Sequence, residues 1–229
     1  MRYLSALILI LSQMGCASRF RLPADLTTGK PVSYRTPDII GADDQQKTLI
    51  LAALAKMPAV MSDPIRKIRL DQDLAHFKSS GRVIMPIGHR CPDNPRVICV
   101  RSPHLSMQLI WHEATHIYAY HLSEYLKNDG AYKFYKIWGE VAGDVYHEDA
   151  KVPESEGVLT DYGRTNIGED IAEWVEECYY YLYISKTYSS ISTNPHFKKD
   201  VRYQKKLKML HEHGFLTESQ YNHLEPLFK

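Results

Sequence analysis

Apolar residues recur at helical spacing between residues 105 and 127. No Pro or Gly interrupts this stretch, so the pattern predicts one continuous amphipathic helix from Leu105 to Lys127. The apolar positions that set the period are Leu105, Leu109, Ile110, Ile117 and Leu122.

The pattern changes between Pro64 and Ser102. Short segments rich in Val and Ile are bounded there by Pro, Gly, Asp and Asn, which is typical of strands separated by turns. We therefore expect a small, mostly antiparallel sheet that leads directly into the helix. The predicted strands are Ile65–Leu70, Arg82–Ile87 and Arg96–Arg101.

Helical periodicity dominates the rest of the chain. Asp43 is a candidate N-cap for a helix that ends before Pro58, and a longer helix is predicted from about Gly168 through Tyr183. The sequence thus predicts an α+β fold: a small sheet packed on one helix, followed by a helical C-terminal half. The other predicted helices cover 131–145, 197–213 and 217–227.

The N-terminus has the pattern of an export signal. A short charged start precedes an apolar run from Tyr3 to Leu11, which is too short to span a bilayer. Cys16 follows Gly15 as the lipidated cysteine of bacterial lipoproteins follows a small residue, although Gln13 stands where that pattern usually has Leu. Ordinary cleavage after Ala17 is the alternative, and it would release a soluble protein.

Length and charge set the domain organisation and the classes of partner. The 229 residues suit one folded domain of about 200 residues, so we expect a signal peptide over 1–16, a Pro- and Gly-containing tether over 17–41 and a domain over 42–229. The net charge of +1 gives no electrostatic reason to expect nucleic acid or an anionic membrane surface. Membrane contact is expected only through a lipid on Cys16, and the sequence predicts no particular oligomeric state.

The cysteines allow one disulfide in the predicted sheet. Cys91 and Cys99 flank the turn before the last strand, and an exported protein matures in an oxidising compartment where they can pair. Two separate thiols are the alternative, because spacing alone does not decide connectivity.

Candidate metal ligands lie on the central helix, where residues 112–116 read His-Glu-Ala-Thr-His. Residues four apart share one face of a helix, so His112 and His116 can direct two imidazoles at one ion. Zn²⁺ is the ion that this pattern suits, with Glu113 beside it as a general base. An accidental pattern on an ordinary amphipathic helix is the alternative, and a third ligand is needed to decide.

Acidic residues near the start of the helix after Gly168 can supply that third ligand. Glu169 and Glu173 are one turn apart, and two histidines with one carboxylate leave a fourth position open, as in catalytic zinc sites. Carboxylates in a first helical turn also have a simpler explanation, because they stabilise the helix dipole.

A family resemblance favours the metal site. Residues 162–166 read Tyr-Gly-Arg-Thr-Asn, followed by Glu169 and then by Ala172-Glu173. Together with His-Glu-x-x-His, this closely resembles the zinc metallopeptidases that include the catalytic domain of anthrax lethal factor, whose plan the Pro-Pro endopeptidases share. The strong match covers only Trp111–His116 and Leu159–Glu173.

The resemblance implies a role for each matching residue. It makes His112, His116 and Glu169 the ligands of one zinc ion, Glu113 the general base and Tyr162 the phenol that supports the transition state. Glu173 becomes an outer carboxylate near the ligands, with a solvated first-turn residue as the alternative. The family's zincin-like fold and gluzincin ligand set are implied as well.

Two residues depart from the family pattern without removing a catalytic group. Ala114-Thr115 fill the middle of the His-Glu-x-x-His motif, and a charged Asp170 follows the third ligand. The shape of the substrate pocket therefore does not follow from the resemblance.

The function expected from these residues is zinc-dependent hydrolysis of internal bonds of a protein or peptide by an exported enzyme. A lipoprotein of the same fold that binds zinc or protein without turnover is the competing hypothesis. Because related peptidases add substrate to a strand beside the zinc helix, Arg96–Arg101 is the candidate substrate strand. An ordinary interior strand is the alternative there.

Overall fold

The computed structural model describes residues 35–71, 77–79, 82–84, 88–90, 94–125, 133–143, 145–146, 157–194 and 199–229. Arg35–Lys229 form one compact unit, which begins earlier than the expected domain boundary at 42. The predicted signal peptide with Cys16, most of the predicted tether, and Cys91 lie outside the described residues.

The strands confirm the predicted segments around 65–70 and 96–101 and add three-residue strands between and before them. Arg82–Ile84 is a strand as predicted, but it pairs with Phe77–Ser79 as a separate two-stranded ribbon. The strand bounds are β1 Asp38–Ile40, β2 Lys67–Asp71, β3 Phe77–Ser79, β4 Arg82–Ile84, β5 Gly88–Arg90 and β6 Val97–Arg101.

The main sheet is mainly parallel, so the prediction of a mostly antiparallel sheet is wrong. Its strand order is β1-β2-β6-β5, with β1, β2 and β6 parallel and β5 antiparallel to β6. A parallel pair needs a long crossover, and residues 41–66 supply one that contains two helices between β1 and β2. The prediction failed because a strand pattern does not show the relative direction of two strands: β2 and β6 match predicted segments, and they pair in parallel.

The position of β6 corrects the substrate-strand hypothesis. β6 is bonded to β2 on one side and to β5 on the other, so Arg96–Arg101 belongs to the sheet interior and has no free edge. Among the described residues the edge beside this strand is β5, whose backbone pairs only with β6.

The helices follow the predicted order. Asp43 caps the first helix with a capping box that includes Gln46, and the central helix is uninterrupted as its sequence predicts. Among the described residues, no helix combines the length and apolar character that a bilayer span requires. The helix bounds are α1 Asp44–Leu54, α2 Ala59–Ser62, α3 Met107–Tyr125, α4 Lys133–Ala142, α5 Ile167–Tyr183, α6 Ser190–Thr193, α7 Val201–Glu212 and α8 Glu218–Leu224.

The core is built around α3, which contacts α5, α1 and the strands β5 and β6. Trp111 is fully buried, and its indole N–H donates to the Ala53 carbonyl of α1 at 2.9 Å. Its ring lies edge-on to Tyr179 of α5, with centroids 5.4 Å apart. These contacts fix the rotation of α3, so the next residue, His112, faces α5. The architecture is α+β with a helical C-terminal half.

One cysteine of the sheet is oxidised. Cys99 is buried in β6 and is disulfide-bonded, whereas Cys178 is buried in α5 as a free thiol. The partner of Cys99 therefore lies outside the described residues, and the pairing with Cys91 stays a prediction.

Candidate metal centre

Both histidines of the central helix point at the start of α5. His112 is only 7% exposed, and the Nε2 atoms of His112 and His116 are 3.2 Å apart. The one-turn spacing on α3 is what places the two rings side by side, with their centroids 4.9 Å apart.

The N-terminus of α5 brings the third group to the same point. Asn166 caps this helix, and its side-chain oxygen accepts a hydrogen bond from the backbone N–H of Glu169 at 3.0 Å. Glu169 Oε2 then lies 3.0 Å from His112 Nε2 and 3.3 Å from His116 Nε2. The three predicted ligands therefore meet, although they come from distant parts of the chain.

The dimensions of this triangle suit a small divalent cation. Zinc binds His nitrogen and Glu oxygen at about 2.0–2.2 Å, so the edge of a zinc tetrahedron is about 3.3 Å. The three ligand atoms are separated by 3.0, 3.2 and 3.3 Å. His112, His116 and Glu169 therefore form a group that can hold a metal ion, and two nitrogens with one oxygen are a donor set that zinc accepts.

Two further carboxylates face the other nitrogen of His112. Glu176 Oε2 lies 3.1 Å from Nδ1, and Glu173 Oε1 lies 3.4 Å from it. Glu173 is near the ligands, as the resemblance implied, but Glu176 is closer and was not predicted. The sequence held a signal for it, because Glu169, Glu173 and Glu176 repeat at i, i+4 and i+7 along one face of α5.

The carboxylates control the charge of the buried imidazole. Burial alone lowers the pKa of His112, but the adjacent carboxylates of Glu169, Glu173 and Glu176 outweigh it and raise this pKa to about 12. Burial likewise raises the pKa of Glu169, and its hydrogen bonds with the two histidines more than reverse that effect and bring the pKa well below its ordinary value. Without metal, the site is a compact cluster of opposite charges.

Glu113 is held away from water on the same helix. It is 5% exposed, and burial raises its pKa, while the charges of His116 and His112 act in the opposite direction. A carboxylate that holds a proton more readily than a free glutamate is a better proton acceptor near neutral pH.

Tyr162 lies at the open side of the cluster. Its ring centroid is 6.0 Å from that of His112, and 54% of the residue is exposed. Partial burial and the nearby charge of Glu169 raise its pKa to about 12, so the phenol keeps its proton and can donate a hydrogen bond. The structure thus places Tyr162 beside the predicted ligands, on a surface that a substrate can reach.

No protein-family model matches this sequence, and comparisons with curated proteins and with solved structures give no match. The similarity to the lethal factor family therefore rests on the two motif patches alone.

Proposed function

We propose that this protein is a zinc-dependent endopeptidase with a zincin-like fold. The observation that carries the proposal is the triangle of His112, His116 and Glu169, whose edges match a zinc tetrahedron. A buried carboxylate, Glu113, follows the first ligand, His112, in the sequence. An exposed phenol, Tyr162, lies beside the His112 ring. A site for structural zinc has no use for a general base and an open side, so hydrolysis is favoured over a purely structural role.

The chemistry divides among these groups. Zinc bound by the three ligands would lower the pKa of a coordinated water toward ~7 and polarise the substrate carbonyl. Glu113 accepts a proton as water attacks the peptide carbonyl carbon and returns it to the leaving nitrogen, so that the C–N bond breaks to an amine and a carboxylic acid. The Tyr162 hydroxyl donates to the oxyanion that develops on the attacked carbonyl.

The free edge of the sheet offers a place for an extended substrate. β5 is antiparallel to β6, contacts α3 and has an edge with no other described strand bonded to it. A peptide that adds to β5 would be held by backbone hydrogen bonds next to the zinc helix. Protein or peptide is therefore the proposed substrate class, and β5 replaces Arg96–Arg101 as the substrate strand.

Digestion of casein and of a peptide library by the purified protein, with and without chelator, tests this function. We expect internal cleavage that stops on chelation and returns with zinc. Glu169→Ala should lose both bound zinc and cleavage, whereas Glu140→Ala on the surface of α4 serves as the matched control. Zinc-loaded, folded protein that cleaves neither substrate would contradict the proposal.

A zinc-binding or protein-binding lipoprotein without turnover is the alternative, and the same digestion separates it from an enzyme. We also propose that the protein is exported and lipid-anchored through Cys16. Metabolic labelling with a fatty-acid analogue should tag the wild type but not Cys16→Ser. An untagged wild type would contradict the lipid anchor at Cys16.

A further inference from the structure

The two carboxylates near His112 Nδ1 do not make equivalent contacts. An imidazole N–H has one proton, and N–H···O bonds are normally about 2.7–3.2 Å long. Glu176 at 3.1 Å lies within this range, whereas Glu173 at 3.4 Å lies outside it. Glu176 is therefore the carboxylate that accepts a hydrogen bond from Nδ1–H.

Glu173 has a different partner on the loop that carries Tyr162. The Thr160 hydroxyl donates to Glu173 Oε2 at 2.8 Å. Thr160 Oγ1 in turn accepts a hydrogen bond from the backbone N–H of Gly163 at 3.0 Å. The Thr160 hydroxyl therefore donates its proton to Glu173 and accepts from the loop backbone. This chain of hydrogen bonds joins α5 to both sides of Tyr162.

The loop also packs directly on the start of α5. A Cβ placed on Gly163 would lie 3.3 Å from the Cα of Asp170 and 3.4 Å from Thr160 Oγ1. The backbone after Tyr162 therefore reaches the helix with almost no space between them. Within the loop, the Thr165 hydroxyl donates to the Tyr162 carbonyl at 2.8 Å, which fixes the tyrosine backbone from its C-terminal side.

We propose that Glu176 orients the His112 imidazole, whereas Glu173 holds the Thr160 hydroxyl and thereby positions the loop that presents Tyr162. Both are positioning residues, and the proposal rests on the function proposed above. When His112 donates Nδ1–H to Glu176, Nε2 is left without a proton and faces His116 and Glu169. This tautomer is the one that can bind a metal through Nε2. Glu173 acts instead on the group that supports the transition state.

Zinc affinity tests the role of Glu176 without any need for turnover. Competition with a chromophoric chelator should show about 10- to 100-fold weaker zinc binding in Glu176→Ala. Glu176→Gln, which keeps an acceptor oxygen, should recover most of the loss. Glu173→Ala should bind zinc nearly as well as the Glu140→Ala control. A Glu173→Ala loss equal to or larger than that of Glu176→Ala would overturn the assignment.

A double-mutant cycle of Thr160 and Tyr162 tests whether the Thr160 hydroxyl positions the tyrosine. Thr160→Val should lower kcat by up to about 10²-fold through misplacement of Tyr162, with zinc affinity unchanged, and Thr160→Ser should restore activity. In a Tyr162→Phe background, Thr160→Val should have little further effect, because the group that it positions is already gone. Equal effects of Thr160→Val in both backgrounds would overturn the proposal.

A spectroscopic signal separates this inference from the proposed function. With 3-fluorotyrosine at position 162 of the zinc-loaded protein, the fluorine resonance should move in Thr160→Val and return in Thr160→Ser. An unchanged resonance in Thr160→Val would reject the positioning role whether or not the protein hydrolyses peptides. A wild type without hydrolysis would reject only the endopeptidase.

Discussion

Lys206 of α7 donates to Asp170 of α5 inside the core, with Nζ 2.5 Å from Oδ2 and both side chains fully buried. The same carboxylate oxygen accepts the indole N–H of Trp138 at 2.7 Å and the hydroxyl of Tyr146 at 2.6 Å. Lys206 also donates to the Gly157 carbonyl at 2.6 Å. Asp170 follows the third candidate ligand, so this pair ties the start of α5 to α7 and to the segment that leads to Tyr162.

Removal of the lysine charge should destabilise the protein strongly. Lys206→Met leaves the Asp170 carboxylate buried without its cation, and breaking a buried pair from one side costs about 3–5 kcal/mol. Asp170→Asn combined with Lys206→Met should recover part of that free energy, because no unpaired charge remains and the amide oxygen can still accept from Trp138 and Tyr146. Urea unfolding of the zinc-free variants measures both. Equal stability of wild type and Lys206→Met would show that the pair contributes nothing.

The general base can be separated from the metal ligands by one substitution. Glu113→Gln keeps the size of the side chain but removes proton transfer, so hydrolysis should fall by about 10²–10⁴-fold. Zinc content should stay at the wild-type level, because Glu113 is not among the ligand group of His112, His116 and Glu169. Metal analysis and peptide cleavage on one preparation check this. Full activity in Glu113→Gln would mean that the mechanism assigned to this residue is wrong.

Loss of the phenol hydroxyl should affect turnover alone. Tyr162 is 54% exposed, so Tyr162→Phe should fold and bind zinc as the wild type does. Loss of one donor to a developing oxyanion typically reduces the rate by about 10²–10³-fold. Because the hydroxyl acts on the transition state, kcat should fall with little change in KM. A matched Tyr188→Phe, at an exposed tyrosine on the segment before α6, should leave both constants unchanged.

The long elements of this fold could be predicted from sequence and its short strands could not. α3 has an uninterrupted apolar period over nineteen residues, which leaves one interpretation. β1 and β5 have three residues each, too few for an alternating pattern to show. Without β1, the crossover through residues 41–66 is not visible in the sequence. β2 and β6 are also parallel, and the pattern of a single strand does not give its direction relative to another.

The candidate site shows the same division. His112 and His116 followed from local spacing, because four residues fix their relation on any helix. Their meeting with Glu169 depends on the packing of α5 against α3. The residues alone left Glu169 and Glu173 as possible third ligands, and the resemblance selected Glu169. Glu176 and Lys206 were missed because their roles depend on distant contacts: Glu176 lies 64 residues from His112, and Lys206 lies 36 from Asp170.

Zinc binding should strengthen as pH rises through the neutral range. In the metal-free protein the pKa of His112 is raised from 6.5 to about 12, so its proton stabilises the fold fully below pH 6.5 and progressively less above it. The pKa of Glu169 is lowered instead, so its contribution is present above pH 4.5 and is lost in acid. The cluster should therefore stabilise chelator-treated protein most between pH 4.5 and pH 6.5.

Zinc must displace the His112 proton, so its binding releases protons and is opposed most strongly at low pH. The rise in Tm on zinc addition should accordingly be larger at pH 8.5 than at pH 6. Calorimetry in two buffers of different ionisation enthalpy should show proton release at pH 7.5. His112→Ala, which removes both the proton and a ligand, should show neither effect. A zinc-induced Tm shift that is the same at both pH values would contradict the ion cluster described for the metal-free site.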